Sequence, residues 1–138
     1  MSMQRITWST AYELGVEEID LQHHYFANLI NRLARELEST DDRHYQQRLF
    51  AELSAYAHFH FSSEENLMYR SGYPQLAEHK KHHDGLIEQL NIQKLMFEQS
   101  KVEAESVLEF LRQWFLKHTL GEDREFSGYL GTGNTQGS

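Results

Sequence analysis

At 138 residues, with a formal net charge of −8, 39% hydrophobic residues and a single proline, the chain has the size of one folded domain and no basic surplus with which to hold nucleic acid. It contains no cysteine, which removes disulfides, thiolate metal sites and thiol nucleophiles together, so any metal has to be held by nitrogen and oxygen. Nine histidines are well above average usage for this length and are the first sign of a site.

No window is long and apolar enough for a membrane span, and the N-terminal MSMQRITWSTAYELG has no apolar leader core, so a cytoplasmic protein without membrane insertion is expected. Residues 1–18 lack helical periodicity and carry Trp8 and Tyr12, the composition of an arm laid over the domain. A first helix is predicted over 19–38, where Ile19, His23, Phe26, Ile30, Leu33 and Leu37 alternate spacings of four and three. The segment ESTDDR offers Thr40 and Asp41 as N-caps for a second helix over 41–71, striped by Leu49, Leu53, Tyr56, His60, Glu64 and Leu67. Within it, His60 and Glu64 stand four apart on one line and face inward, whereas His58 points to roughly the opposite side.

The break SGYP at 71–74 precedes a third helix over 75–99, with Leu76, His79, His83, Leu86, Leu90 and Phe97 in its stripe. Gly85 lies inside this helix, where it serves close helix approach, lines a small channel, or is a tolerated irregularity. A polar turn at 99–103 leads to a fourth helix over 103–120, marked by Ala104, Val107, Leu111, Trp114 and His118. Short connections favour antiparallel neighbours, so the expected fold is all-α: an up-down-up-down four-helix bundle in a domain over 1–130, monomeric, with a flexible tail GTGNTQGS at 131–138.

Each predicted helix thus turns at least one imidazole to the interior: His23, His60, His79 with His83, and His118. One histidine on an apolar stripe is ordinary core; five on four facing stripes, joined by Glu64, are not. An unpartnered buried carboxylate costs several kcal/mol, and no lysine or arginine stands on the stripes near this one. A metal cation is the economical partner, and imidazole with carboxylate suits iron, zinc, copper or nickel better than magnesium or calcium. Beyond His118, Asp123 falls about 140° round a regular helix and would rejoin the site only if the helix stopped, for instance at a left-handed Gly121. On spacing alone Glu122 and Asp123 are equal candidates. His82 belongs near the rim, and His24, His44 and His58 on the surface. Asp20 and Gln22 lie near His23 and are placed to orient ligand rings from outside, although Asp20 serves equally as a helix-start acid.

The ordered pieces DLQH (20–23), HFSSEE (60–65), HKKHH (79–83) and HTLGED (118–123) resemble the signature of the hemerythrin family, specifically its single-domain bacterial members, over Trp8 to about Leu130. The resemblance implies a non-haem centre of two iron ions with a bridging oxo or hydroxo group. It implies His79, His83 and His118 on one iron, His23 and His60 on the other, and Glu64 and Asp123 spanning both, which selects Asp123 over Glu122. Such a set leaves one coordination position open beside His23 and His60, with dioxygen as its ligand. The expected function is reversible dioxygen binding for carriage, storage, delivery or sensing rather than catalysis, with an oxygen-consuming enzyme or a reductase as partner. The alternative is a di-iron enzyme reducing peroxide or nitric oxide, which needs an electron donor and a proton path. A structural zinc bundle is disfavoured, because seven ligands exceed the four that zinc usually takes. Ile30, Leu86, Trp114 and Phe115 are expected to line a dry dioxygen pocket, with Phe115 where family members often carry leucine.

Overall fold

A computed structural model describes residues 6–39 and 41–136, with side chains through Gly131. The bundle consists of α1 (Glu17–Ser39), α2 (Arg43–Ser71), α3 (Leu76–Glu98) and α4 (Ala104–Leu120), and a further helix, α5 (Glu122–Gln136), follows α4 after a single residue. Successive helices pack on one another and α1 also packs on α4, so the four close into a ring. The connections 40–42, 72–75 and 99–103 are too short for anything but antiparallel neighbours. This is the four-helix bundle that the stripes predict. Among the described residues there is no strand, and no helix is long and apolar enough to cross a membrane.

The helix ends follow from local chemistry. Asp42, rather than Asp41, caps α2: its carboxylate accepts the N–H of Tyr45 at 3.0 Å, the reach of an N-cap onto the third helical residue. Thr40, the other expected cap, lies outside the described residues. At the far end Gly72 adopts φ +67°, and the N–H groups of Gly72 and Tyr73 close on the carbonyls of Tyr69 and Met68, which ends α2 without orphan carbonyls.

The arm is pinned in place. Ile6 is buried in the core and exchanges two hydrogen bonds with the Asn31 amide, at 2.8 and 2.7 Å, while Trp8 and Tyr12 pack on the outside of the same cluster. Asp20 serves the arm and not a histidine: its carboxylate accepts the N–H groups of Leu14 at 2.7 Å and Gly15 at 3.1 Å. Residues 1–5 of the expected arm lie outside the described residues.

Apolar packing falls into two clusters. The larger runs along the bundle from Phe26 and Phe61 to Phe97 and Val107. The smaller joins Ile19, Met68, Tyr73 and Phe126, and α5 supplies its lid: Phe126 is fully buried, and the Tyr129 hydroxyl donates to the carbonyls of Ser71 and Gly72. A stripe reading of four helices misses this, because α5 is poor in apolar residues and finds its partners only at the end of an assembled bundle. The expected tail over 131–138 overlaps the last turns of α5, and Gly137 and Ser138 lie outside the described residues.

Gly85 faces solvent, and a Cβ built there meets nothing within 4 Å, so it serves neither close approach nor a channel. Gly85→Ala is therefore expected to stabilise the protein by about 0.5–1 kcal/mol, from helix propensity alone. Thermal unfolding checks this, and an unchanged or lowered midpoint would contradict the open surroundings.

Candidate metal centre

Between the two apolar clusters the helices bring seven polar side chains together. His23 comes from α1, His60 and Glu64 from α2, His79 and His83 from α3, His118 from α4 and Asp123 from the first turn of α5. None is more than 5% exposed, and His23, His60, Glu64 and Asp123 are completely enclosed. Their ligand-capable atoms sort into two groups, each within 4.8 Å: Glu64, His79, His83, His118 and Asp123 in one; His23, His60, Glu64 and Asp123 in the other. Both carboxylates belong to both groups.

The shared role is visible atom by atom. Oε1 of Glu64 lies 3.0 Å from Nε2 of His83 and 3.6 Å from that of His118, whereas Oε2 lies 3.3 Å from Nε2 of His60 and 3.6 Å from that of His23. Asp123 places Oδ1 3.5 Å from His79 and Oδ2 2.7 Å from His23 and 3.1 Å from His118. Every imidazole turns Nε2 to the centre. Both oxygens of Glu64 and of Asp123, and Nε2 of His79, His83 and His118, are buried without a hydrogen-bond partner. Buried polar atoms are ordinarily satisfied, so orphans converging from four helices fit a group that accepts lone pairs, namely a cation.

Outer hydrogen bonds aim two of the rings. Nδ1 of His60 donates to Oε1 of Gln22 at 2.8 Å, and the Gln22 amide is itself fixed by donating to the Ser63 hydroxyl at 2.9 Å. Nδ1 of His83 donates to Oε2 of Glu65 at 2.8 Å. Each bond commits the proton to Nδ1 and leaves the lone pair of Nε2 pointing inward, as a metal ligand requires. Gln22 thus orients a ligand-capable ring as expected, that of His60 across the α1–α2 interface. Glu65 was not singled out from sequence; of two adjacent glutamates one faces the centre and the other reaches toward α3.

Asp123 arrives through the break between α4 and α5. Gly121 has φ −99° and ψ −92°, so the expected left-handed cap is not formed. Glycine is needed there for a different reason: a Cβ would stand 2.8 Å from the carbonyl oxygen of Lys117. The new helix begins at once, and its N-terminal dipole favours the ionised carboxylate of Asp123.

The side chains alone balance their charges with protons. Burial opposes charge on His23, but hydrogen bonds and the negative charges of Asp123 and Glu64 outweigh it and raise the pKa to about 9. His118 follows the same balance, against Asp123 first, and rises to about 10. Burial and the charge of Glu64 oppose ionisation of Asp123, yet His118 and His23 bring it down to about 2. Burial likewise opposes ionisation of Glu64, and the neighbouring imidazoles hold it well below the carboxylate range. His60 is lowered, by burial above all and also by His23, whose Nε2 is 3.1 Å away. Two imidazoles at that separation do not both carry a proton on the facing Nε2 atoms.

Aromatic rings wall the site. Phe61 stacks on His83 at 4.2 Å, Phe26 meets His60 edge-on at 6.0 Å, and Phe115 meets His23 edge-on at 5.9 Å. Of the expected pocket residues, only Phe115 is in ring contact with a site imidazole among the described contacts. Ile30 and Leu86 are buried in the large cluster, and Trp114 is tied to α3 by its indole N–H on the Leu86 carbonyl at 3.1 Å. Phe26 and Phe61, which line the site, look like ordinary core in the sequence. His24, His44 and His58 are exposed, and His82 is at the rim.

The titration shifts have a definite sign for the metal-free protein. Raised imidazoles stabilise the fold fully below about pH 6.5, and that contribution is lost as pH rises through about 9 and 10; the depressed carboxylates stabilise above about pH 4, and theirs is lost toward pH 2. Metal-free protein is therefore expected to lose stability from pH 6.5 to 10, as denaturant midpoints would show, and metal uptake in that range to release protons. A flat profile would contradict the paired imidazoliums.

Residues 14–130 match the family model described as the hemerythrin HHE cation binding domain. The chain is 34% identical over 125 residues to a bacteriohemerythrin of Clostridium acetobutylicum, covering 86% of this chain and 96% of that one. It is 26% identical to a bacteriohemerythrin of Stenotrophomonas maltophilia, covering 91% and 81%. A crystal structure of wild-type hemerythrin superposes with a TM-score of 0.79 at 27% identity, over 89% of this chain and 95% of that one. Sequence motif, bundle architecture and the buried histidine–carboxylate cluster agree with these matches, and the chain belongs to the hemerythrin family.

Proposed function

We propose that this protein binds dioxygen reversibly at a pair of iron ions, one held by His79, His83 and His118, the other by His23 and His60, with Glu64 and Asp123 spanning both. The observation that carries this reading is the unequal split of imidazoles around two shared carboxylates. Two ions of like coordination preference then differ by one protein ligand, and the poorer one has room for a small external molecule. When bound, the iron pair supplies two electrons that dioxygen accepts on arrival and returns on leaving.

The protein's own part is to hold and to exclude. Gln22 and Glu65 fix the rings of His60 and His83 through their outer nitrogens. Phe26 and Phe115, against His60 and His23, keep water from the side with fewer ligands and carry no exchangeable proton. Reducing peroxide or nitric oxide requires proton delivery to that side, so these walls favour release over reduction. A cytoplasmic monomer that passes dioxygen to an oxygen-consuming enzyme, and is restored by a reductase when it oxidises, completes the reading.

Elemental analysis is expected to return about two irons per chain; one zinc would contradict the assignment. Anaerobic ferrous protein is expected to be nearly colourless, to turn pink-violet in air and to bleach when dioxygen is withdrawn. Permanent oxidation after one exposure would instead favour the enzyme reading. His60→Ala is expected to lose iron while His58→Ala retains it, and equal losses would overturn the assignment of His60.

A further inference from the structure

A second group of metal-capable side chains adjoins the seven. Nε2 of His82, on α3, lies 3.3 Å from Oε1 of Glu122, the first residue of α5, and these two with His118 offer ligand atoms within 4.8 Å of one another. His118 belongs to both groups, with its ring stacked on His82 at 5.8 Å and 21°. His118 is 4% exposed and neither of its ring nitrogens has a hydrogen-bond partner; Oε2 of Glu122 is also buried without one.

His82 and Glu122 line an open cleft of about 430 Å³ together with Gln75, Glu78, His79 and Glu125, and His118 lies behind them. Three of the lining side chains are carboxylates and none is lysine or arginine. A cleft of one sign concentrates counter-ions and raises their association rate. This one leads from solvent to His79, on the side with three imidazoles. Were His82 and Glu122 simply an ion pair joining α3 to α5, the second oxygen of Glu122 and Nδ1 of His118 would still lack partners.

We propose that His82, Glu122 and His118 form a labile divalent-cation site that takes a ferrous ion from the acidic cleft and passes it by ligand exchange, without change of oxidation state, to His79, His83 and His118. The inference rests on the reading that those imidazoles hold iron. Imidazole nitrogen with one carboxylate suits a ferrous or manganous ion, and too few protein ligands are present to retain it firmly.

The test is anaerobic ferrous uptake by metal-free full-length protein, with the double variant His82→Ala/Glu122→Gln and, as a charge control, Glu88→Gln. Wild type and all variants are expected to end at two irons per chain, with uptake by the double variant slowed about tenfold and that of the control unchanged. Uptake by the double variant at the wild-type rate would overturn the relay while leaving the two-iron reading intact. Wild type that retains no iron would overturn both.

Discussion

Two carboxylates, Glu64 and Asp123, are sealed inside a helical bundle with no lysine or arginine beside them, and the rest of the site answers to that constraint. An ionised carboxylate in such a place needs positive charge at close range. Only imidazoles are within reach, and they supply that charge either by taking up protons or by sharing a cation. The first solution raises His23 and His118 and disfavours a second proton on His60; the second fits all the inward lone pairs at once. Because both solutions neutralise the same pair of carboxylates, protons and metal compete for one set of atoms. The fold tolerates the cost because the two apolar clusters, on either side of the polar layer, supply the burial that the layer itself forgoes.

Closure of the site depends on the short fifth helix. It restarts immediately after Gly121, delivers Asp123 into the centre, and anchors itself through Phe126, through Tyr129 on the α2–α3 turn, and through Arg124 on the Ala11 carbonyl of the arm. The same turn of helix therefore sets a ligand-capable carboxylate, seals one end of the bundle and presents Glu122 to the cleft. That coupling explains why a backbone irregularity is concentrated at one residue rather than spread along α4.

The two sides of the centre have opposite surroundings. Around His23 and His60 stand phenylalanine rings, which exclude water and offer no proton. Beside His79 lies an acidic cleft open to solvent. In the proposed function the dry side suits a neutral diatomic molecule and the wet side a hydrated cation, so gas and metal would approach the same centre by different routes. The three-to-two division of imidazoles follows from the pair on α3, where a spacing of four residues puts His79 and His83 on one face.

Helical periodicity is a local property, and it alone was enough to place His23, His60, Glu64, His79, His83 and His118 on inward stripes, to expect a four-helix bundle, and to argue for a cation beside Glu64. Gly121 also stood out in the sequence, but the reason for it lies in the 2.8 Å approach to the Lys117 carbonyl, which no spacing reveals. Spacing left Asp123 and Glu122 equal and the family resemblance chose between them, whereas giving Gln22 to His60, giving Glu65 to His83 and committing Asp20 to the arm depend on distances between separate elements. Phe126 and Tyr129 look unremarkable until Ile19, Met68 and Tyr73 meet at the end of the bundle. Residues that interact within one helix could be read from their numbers; partners held across a gap of a few ångströms between helices were decided only when the helices packed.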